Sequence, residues 1–376
     1  MSPRLRRSDP SRPGIVRRRR GRGFSFLHPD GTPVTDRETL ERIGSLAIPP
    51  AWQDVWICAH PTGHLQAVGT DAAGRRQYLY HPDWSLQRSR DKFNRMMDFA
   101  AALPALRAHV ADQLDGEGAE LEPTRERVLA LAVRLLDRGY FRIGTEQYAA
   151  EHGTYGLLTL RRNHVVLEPP NSLRFDFPAK HGIRMQRRIE DASTYAVVEV
   201  LRRRRSGPEA LFATRGAGRS WHALTAGDVN GFLREATGME CSAKDFRTWH
   251  GTVLCAIALA SQEADVRARG REPRASETAM RREMAAAVKQ TAAFLGNTPA
   301  VCRAAYVDPR VFDRYRDGRT IQPGIERLLR LEDVELLDAQ LVAEAATLRL
   351  LEDRTPETIA RVAARIIEES PTAIAS

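Results

Sequence analysis

The chain has 376 residues and a net charge of +9, and 42% of its residues are hydrophobic and 28% charged. These values predict a soluble globular protein with two or three domains. They exclude a membrane-spanning helix, because no apolar run approaches the ~20 residues that one needs. They also exclude a secretory signal, because the N-terminus lacks an apolar segment. We therefore expect a cytoplasmic protein, or a nuclear one if the host has a nucleus.

The cysteine pattern argues against a metal or disulfide framework. None of the four cysteines stands in a CxxC pair, and none has a histidine at ligand spacing. We predict buried, reduced thiols. No paired-carboxylate metal site is evident either, so we expect no metal and no other cofactor. The four are Cys58, Cys241, Cys255 and Cys302.

The two ends of the chain carry opposite charge. Residues 1–23 contain nine arginines and one aspartate, and they are predicted to be a disordered tail that either solubilises the protein or clamps phosphates. Residues 324–376 contain eleven acidic and six basic residues, which predicts a solvated helical end facing away from DNA. The body between them is moderately basic, so nucleic acid is a fair partner.

Residues 24–88 predict a small β-rich domain. "FSFLHPDGTPV" has the pattern of a strand, a Pro-Asp-Gly turn and a second strand, and three more strands follow a short helix that ends before Pro49. In "GRRQYLYHP", alternation puts Gln77 on one strand face with Leu79. The same alternation puts Tyr78 on the other face with Tyr80.

Residues 89–376 predict a large, mostly helical domain with an acidic helical end. "RVLALAVRLLDRG" has the apolar i, i+3, i+4, i+7 stripe of an amphipathic helix that ends at Gly139. A three-stranded antiparallel sheet follows, and the tight connection between two of its strands is Lys180-His181-Gly182. The fold class is therefore α+β.

"LGNTPAVCRAAYVDP" predicts a short helix with marked ends. Thr298 is a cap, Pro299 suits the first helical position, and the residue before Pro309 avoids helical geometry. Tyr306 would lie on one face of this helix with Arg303, three residues away.

Other polar residues of the large domain stand in unusual places. Arg142 follows the amphipathic helix, Lys180 lies at a hairpin tip, Arg247 lies early in an apolar helix, and Asn297 precedes the short helix. Taken singly, these residues also fit a snorkelling arginine, an exposed turn lysine or a surface ion pair.

Five stretches, taken together and in order, carry a resemblance. "LAIPPAWQDVWI", "GRRQYLYHPDW", "FRIGTEQYAAEHGTYGLLTLRRNHV", "KDFRTWHGT" and "LGNTPAVCRAAYVDP" resemble the bacterial branch of the type IB DNA topoisomerases, close to the poxvirus enzymes. The resemblance covers residues 24–323. It implies the catalytic fold that these topoisomerases share with tyrosine recombinases. The catalytic residues that it implies are Arg142, Lys180, Arg247, Asn297 and Tyr306.

The implied chemistry suits these residue types. Two guanidiniums, Arg142 and Arg247, match the non-bridging oxygens of a phosphodiester, and Asn297 adds a neutral donor that cannot transfer a proton at neutral pH. Lys180 would protonate the leaving 5′-oxygen, because a lysine near other cations gives up a proton more readily than an arginine. Tyr306 would attack phosphorus to form a 3′-phosphotyrosyl intermediate, which permits resealing without ATP or metal.

The resemblance also implies the DNA-contacting residues and the way the enzyme binds. The two domains, joined near residues 85–90, would close on double-stranded DNA as a monomeric clamp without any membrane association. The residues implied to contact the duplex are Gln77, Tyr78, Tyr80 and Tyr148.

Two alternatives stay open from the residues. A tyrosine recombinase or integrase shares the Arg/Lys/Arg/Tyr chemistry, although its His-x-x-Arg pattern is absent, since Lys244 stands three residues before Arg247. The other alternative is a non-catalytic DNA-binding protein with degenerate motifs. Relaxation of a supercoiled plasmid in EDTA distinguishes the topoisomerase from both.

Overall fold

The computed structural model describes residues 4–115, 122–216, 220–329 and 336–352. The chain divides into two compact units, residues 1–95 and residues 96–376. The first unit contains β1 (Ile15–Arg20), β2 (Gly23–Leu27), α1 (Arg37–Ser45), β3 (Gln53–Ile57), β4 (Leu65–Thr70), β5 (Arg76–Tyr80) and the start of α2 (Pro82–Leu114).

The second unit is mostly helical in the part that the structure describes. It contains α3 (Arg125–Gly139), α4 (Glu146–His152), β6 (Val165–Glu168), β7 (Ser172–Pro178), β8 (Arg184–Glu190), α5 (Ala192–Arg203), β9 (Ala213–Arg215), β10 (Trp221–Ala223), α6 (Ala226–Thr237), α7 (Ala243–Ala268), α8 (Glu277–Leu295), α9 (Pro299–Ala305), α10 (Arg310–Arg316), α11 (Gln322–Leu329) and α12 (Leu336–Glu352). None of the helices in the described residues is both long and apolar enough to cross a membrane.

The first unit is a five-stranded antiparallel sheet in the order β2-β1-β3-β4-β5. Residues on α1, on the segment before it and on one sheet face form its core. Asp36 caps α1 by accepting the backbone N–H of Thr39. The buried core residues are Ile15, Val34, Ile43, Val55, Ile57 and Ala67.

The predicted disordered tail is wrong for residues 15–20, which form β1 between β2 and β3. Ile15 is only 1% exposed, and Arg17 donates to the backbone oxygens of Pro49 and Trp52. The high arginine content predicted disorder. This prediction failed because a count of charges does not consider which face of a strand each side chain occupies. The strand is held by backbone pairing with β2 and β3 and by the side chains of Ile15 and Arg17 on the covered face.

The amphipathic helix and the three-stranded sheet of the second unit are confirmed. The helix is α3, and the sheet has the order β6-β7-β8, with Leu173, Phe175 and Phe177 buried on one face. Gly139 is the last residue of α3, but the left-handed residue is Tyr140, at φ 57°. Glycine is required at 139 for a different reason, because a Cβ there would lie 2.1 Å from the ring of Phe141.

Two features of the second unit differ from the sequence predictions. The strands β9 and β10 pair in a domain that was predicted to be mostly helical with a single three-stranded sheet. The acidic end was predicted to be solvated, yet α12 packs against α7, α10 and α11 and buries Glu344. The reason is that Val342, Ala346 and other apolar residues of α12 form a face that the charge count did not weigh. Residues 353–376 lie outside the described part.

Candidate active site

The short helix α9 holds Tyr306 just beyond its C-terminal end. The hydroxyl of Thr298 accepts the N–H of Val301, and Pro299 occupies the first helical position, as the sequence predicts. The N–H of Tyr306 donates to the carbonyl of Cys302 at 2.9 Å, so the last turn fixes the tyrosine backbone. Tyr306 caps the helix rather than lying within it.

Arg303 does not share the site with Tyr306. Its guanidinium lies over the ring of Phe312, 4.2 Å from the centroid. The three-residue spacing predicted a common face, but Tyr306 has left helical geometry, with ψ at −10° and φ at −128°. The partner of Tyr306 comes instead from α7.

Helix α7 contacts the backbone of Tyr306 directly. A Cβ added at Gly251 would lie 2.7 Å from the Tyr306 carbonyl oxygen, closer than real contacts allow. The hydroxyl of Thr252 lies 3.3 Å from the same oxygen and accepts the N–H of Asp308 at 3.1 Å. Sequence reasoning missed both residues. The signal was an isolated glycine inside an apolar helix pattern, which indicates close packing.

Arg247 approaches Tyr306 from the same helix. It is 4% exposed, and its two terminal nitrogens donate to the carbonyls of Tyr140 and Leu295, each at 2.9 Å. Its guanidinium carbon lies 5.2 Å from the centroid of the Tyr306 ring. These contacts fix a buried cation beside the tyrosine, in the orientation that cation–π attraction favours.

Arg142 lies in the loop after α3 and reaches the segment that precedes α9. It donates to the side-chain oxygen of Asn297 at 2.6 Å and to the carbonyl of Gly296 at 2.5 Å. The N–H of Leu157 donates to the Arg142 carbonyl at 2.7 Å. The loop is also held by a glycine contact, because a Cβ at Gly156 would lie 2.7 Å from that carbonyl oxygen.

Asn297 has one amide atom that the protein does not use. Its nitrogen is buried and has no hydrogen-bond partner within the described residues. An unpaired buried donor costs free energy, so such groups often serve a ligand. The nitrogen is therefore free to donate to an anionic oxygen.

The two arginines concentrate positive charge at this point. Burial and the neighbouring guanidinium of Arg142 lower the pKa of Arg247 to about 10, while Tyr306 opposes that shift. Burial also lowers the pKa of Arg142, and the same tyrosine opposes it. Both groups remain cationic at neutral pH and share one site for negative charge.

Lys180 is the one candidate that the structure does not bring to this cluster. It is exposed, and it begins a short 3₁₀ turn between β7 and β8, at the predicted hairpin tip. Within the described residues it makes no hydrogen bond to Arg142, Arg247, Asn297 or Tyr306. The contacts of the described residues thus join four of the five predicted catalytic residues and do not include Lys180.

The candidate DNA-contacting residues lie in both units. Tyr78 and Tyr80 are 47% and 45% exposed on β5, and their rings stack at 6.3 Å. Gln77 lies on the opposite strand face, where its amide donates to Asp71. Tyr148 belongs to α4, but its side chain lies outside the described part.

A buried charged cluster lies on the other side of Tyr140. Asp137, His250 and Glu344 each offer a ligand atom within 4.8 Å of the others, which is close enough to hold a metal ion. Both carboxylates are instead paired with Arg107, through four contacts of 2.8–2.9 Å. The guanidinium therefore supplies the positive charge that the carboxylates require.

The comparisons with known proteins bear on both units. The model of the family described as "Eukaryotic DNA topoisomerase I, catalytic core" matches residues 81–322. The model described as "Bacterial DNA topoisomerase IB, N-terminal domain" matches residues 23–71. The chain belongs to the type IB DNA topoisomerases. The N-terminal match separates this topoisomerase from the recombinase alternative.

Individual relatives agree with the family. "DNA topoisomerase 1B" of Acanthamoeba polyphaga mimivirus is 29% identical over 308 residues, which are 81% of this chain and 88% of the viral protein. "DNA topoisomerase 1" of Daucus carota is 30% identical over 132 residues, 35% of this chain but 15% of the plant protein. "DNA topoisomerase 1" of Schizosaccharomyces pombe is 30% identical over 139 residues, 37% of this chain and 16% of the yeast protein. This topoisomerase is therefore an isomerase whose substrate is DNA.

Proposed function

We propose that this topoisomerase relaxes supercoiled duplex DNA by cutting one strand with Tyr306, holding the 3′-phosphate as a phosphotyrosine, and resealing the strand. The observation that carries the proposal is the convergence of Arg142, Arg247 and Asn297 on Tyr306. A phosphodiester bound there would have its phosphorus next to the phenol and its free oxygens next to three donors. The ester keeps the energy of the broken bond, so resealing needs no ATP.

The two arginines stabilise the negative charge that develops on the phosphate in the transition state. The five-coordinate transition state carries an additional negative charge on the non-bridging oxygens, and preformed cationic donors stabilise it more than they stabilise the substrate. Arg247 also holds the ring of Tyr306 in place, because its cation lies against that ring. Asn297 supplies its unpartnered N–H to the same oxygens.

We assign the general acid to Lys180. The leaving 5′-oxygen needs a proton, and the four converging residues offer no group suited to give one, since arginine and asparagine hold their protons too tightly. Lys180 stands exposed at a hairpin tip, a position from which its long side chain reaches outward to bound DNA.

Contacts to the duplex are proposed for Gln77, Tyr78, Tyr80 and Tyr148, with the enzyme acting as a monomer. Exposed stacked tyrosines beside Arg76 combine apolar and cationic groups suited to groove edges and phosphates. Because its substrate is chromosomal DNA, we place the enzyme with the nucleoid in the cytoplasm. Sedimentation of the free enzyme and of its complex with a short duplex tests the monomer.

The test is plasmid relaxation in EDTA without ATP. In a parallel sample the enzyme is denatured during turnover, which traps any covalent protein–DNA adduct. Relaxation and a covalent protein–DNA adduct on the 3′ side of the nick support the proposal. Joining of two duplexes at a fixed site would support a recombinase instead. Binding without a nick would mean a non-catalytic DNA-binding protein.

A further inference from the structure

Strand β1 carries four consecutive arginines and distributes them over two sheet faces. Side chains alternate along a strand, so Ile15, Arg17 and Arg19 lie on the face covered by α1. Arg18 and Arg20 lie on the opposite face. Each face therefore receives two of the four guanidiniums.

The covered face uses Arg17 within the fold. Its guanidinium donates to the carbonyl oxygens of Pro49 at 3.2 Å and Trp52 at 2.6 Å, and it lies 4.1 Å from the centroid of the Phe24 ring. Such contacts tie β1 to the segment between α1 and β3. This arginine has a structural role.

The opposite face leaves its arginines unused. Arg18 and Arg20 are exposed, and neither side chain makes a hydrogen bond or an ion pair with any part of the chain that the structure describes. Fold stability does not account for them, because two like charges on one strand face repel each other. A ligand with dense negative charge would relieve that repulsion.

The strand register connects these arginines to the exposed tyrosines. Val16 stands opposite Trp56, Trp56 opposite Val68, and Val68 opposite Tyr78. Directly opposed residues point to the same face, so this row crosses the sheet from β1 to β5 on the side away from α1. Within the row, Val68 is buried and the indole of Trp56 donates to the Arg12 carbonyl. Arg18 and Arg20 follow Val16 on that side, and Tyr80 follows Tyr78.

The size of this face fits a duplex. Three strand spacings separate β1 from β5, which amounts to about 14 Å. The major groove of B-DNA is about 12 Å wide between its phosphate backbones. Because β1 and β5 run in opposite directions, Arg18 and Arg20 lie at the same end of the face as Arg76.

We infer that Arg18 and Arg20 bind backbone phosphates of the same duplex that contacts Tyr78 and Tyr80, so that β1 and β5 both contact DNA on the sheet face away from α1. The inference rests on the proposed function only in taking duplex DNA as the ligand. Phosphate contacts position a protein on DNA without reading its sequence, and arginine forms them in bidentate geometry. The β1–β2 hairpin thereby adds affinity and orientation to the tyrosine contacts.

A pair of matched double variants tests this surface. Arg18→Gln with Arg20→Gln removes two charges from the face away from α1, and Arg19→Gln with Arg37→Gln removes two from the side of the sheet that carries α1. Binding of a fluorescent duplex by the full-length enzyme is measured between about 50 and 200 mM salt, a range in which the affinity of phosphate contacts depends strongly on salt. Circular dichroism melting confirms that all variants fold.

We expect the first double variant to flatten the slope of log K against log salt by about two, since each phosphate contact contributes roughly 0.9. The control should lose less than half as much, and Arg18→Lys with Arg20→Lys should keep the wild-type slope. Equal slopes for the first variant and wild type, or equal losses in both doubles, would overturn the inference.

A second readout separates this inference from the proposed function. Single-turnover cleavage at saturating DNA should be unchanged in the first double variant, because neither arginine belongs to the Tyr306 cluster. If wild-type enzyme forms no covalent adduct, the proposed function fails while the binding slopes still decide the role of the arginines. A large cleavage defect with an unchanged slope would place the arginines in catalysis and contradict the surface.

Discussion

The guanidinium of Arg142 donates to the side-chain oxygen of Asn297 at 2.6 Å, and this contact fixes which end of the amide is left without a partner. The nitrogen is the end left buried without a partner among the described residues. In the proposed function, Arg142 would bind a phosphate oxygen itself, and through this contact it also orients a second donor. The pair acts as a unit, so the effects of removing each are expected to be less than additive.

Replacing Asn297 tests this arrangement. Asn297→Ala should slow single-turnover cleavage by roughly 10²-fold, the usual effect of losing one oxyanion donor. Asn297→His, which restores an N–H, should recover most of the rate. Asn297→Asp should be slower than the alanine variant, because a carboxylate would pair with Arg142 and repel phosphate. An aspartate variant as fast as wild type would contradict a donor role.

The nucleophile is tested by Tyr306→Phe. The change removes one oxygen and keeps the ring against Arg247, so duplex binding should stay within about threefold, given that phosphate contacts elsewhere supply most affinity. Relaxation and the covalent adduct should both disappear. Tyr315→Phe is a matched control from the next helix, where the hydroxyl donates to Glu283 within the core. Relaxation by the Tyr306 variant would mean that another tyrosine attacks.

The parts of the fold that depend on local signals were predictable. Thr298 and Pro299 marked the start of α9, and the alternation in β7 marked the buried face of the three-stranded sheet. Caps and periodicity act within a few residues, so a sequence displays them directly. The same holds for the opposite faces of Gln77 and Tyr78 on β5.

The parts that depend on distant partners were not predictable. The segment of β1 was predicted to be disordered because an arginine run does not show that β2 and β3 will pair with it. The segment of α12 was predicted to be solvated because Arg107, which pairs with Glu344, lies 237 residues away in the sequence. The close approach of Gly251 to Tyr306 likewise exists only after α7 and α9 have packed. The catalytic residues were predicted from the family resemblance, whereas the contacts that hold them in place became visible only in the structure.

Lys180→Ala should separate proton donation from charge stabilisation. Cleavage of ordinary DNA should slow by 10²-fold or more, within the usual range for a general acid. A substrate with sulfur at the 5′-bridging position should be cleaved at nearly the wild-type rate, because a thiolate leaves without a proton. Arg142→Ala is the control, and it should be slow on both substrates. An equal defect of the lysine variant on both would assign Lys180 to charge stabilisation.

Gly251→Ala should displace the nucleophile without touching a catalytic side chain. The new methyl group would lie 2.7 Å from the Tyr306 carbonyl oxygen, and neither helix α7 nor the turn after α9 has free space to yield. A displacement approaching 1 Å of a reacting group costs about 10²-fold in rate. Cleavage should slow accordingly with DNA affinity retained. Gly231→Ala on α6 is the control, since its Cβ would meet no atom within 4 Å.

The pairing of Glu344 with Arg107 predicts that α12 is needed for stability. Arg107 holds Asp137 from α3 and Glu344 from α12, and all three side chains are largely shielded from solvent. Although burial disfavours its charge, the two carboxylates hold the pKa of Arg107 well above its usual value. Breaking one side of such a buried arrangement leaves an uncompensated charge, which costs about 3–5 kcal/mol.

Glu344→Ala should therefore lower the free energy of unfolding by about 3 kcal/mol, measured by urea denaturation of the full chain. Glu326→Ala on α11 is the matched control, because that carboxylate is exposed and its loss should cost less than about 0.5 kcal/mol. The same cluster reaches the active site, since His250 contacts Asp137 at 3.2 Å and packs on the ring of Tyr140, whose carbonyl accepts from Arg247. We accordingly expect Glu344→Ala to slow cleavage modestly at temperatures where it remains folded. An unchanged free energy of unfolding in this variant would show that the pairing of Glu344 with Arg107 does not stabilise the fold.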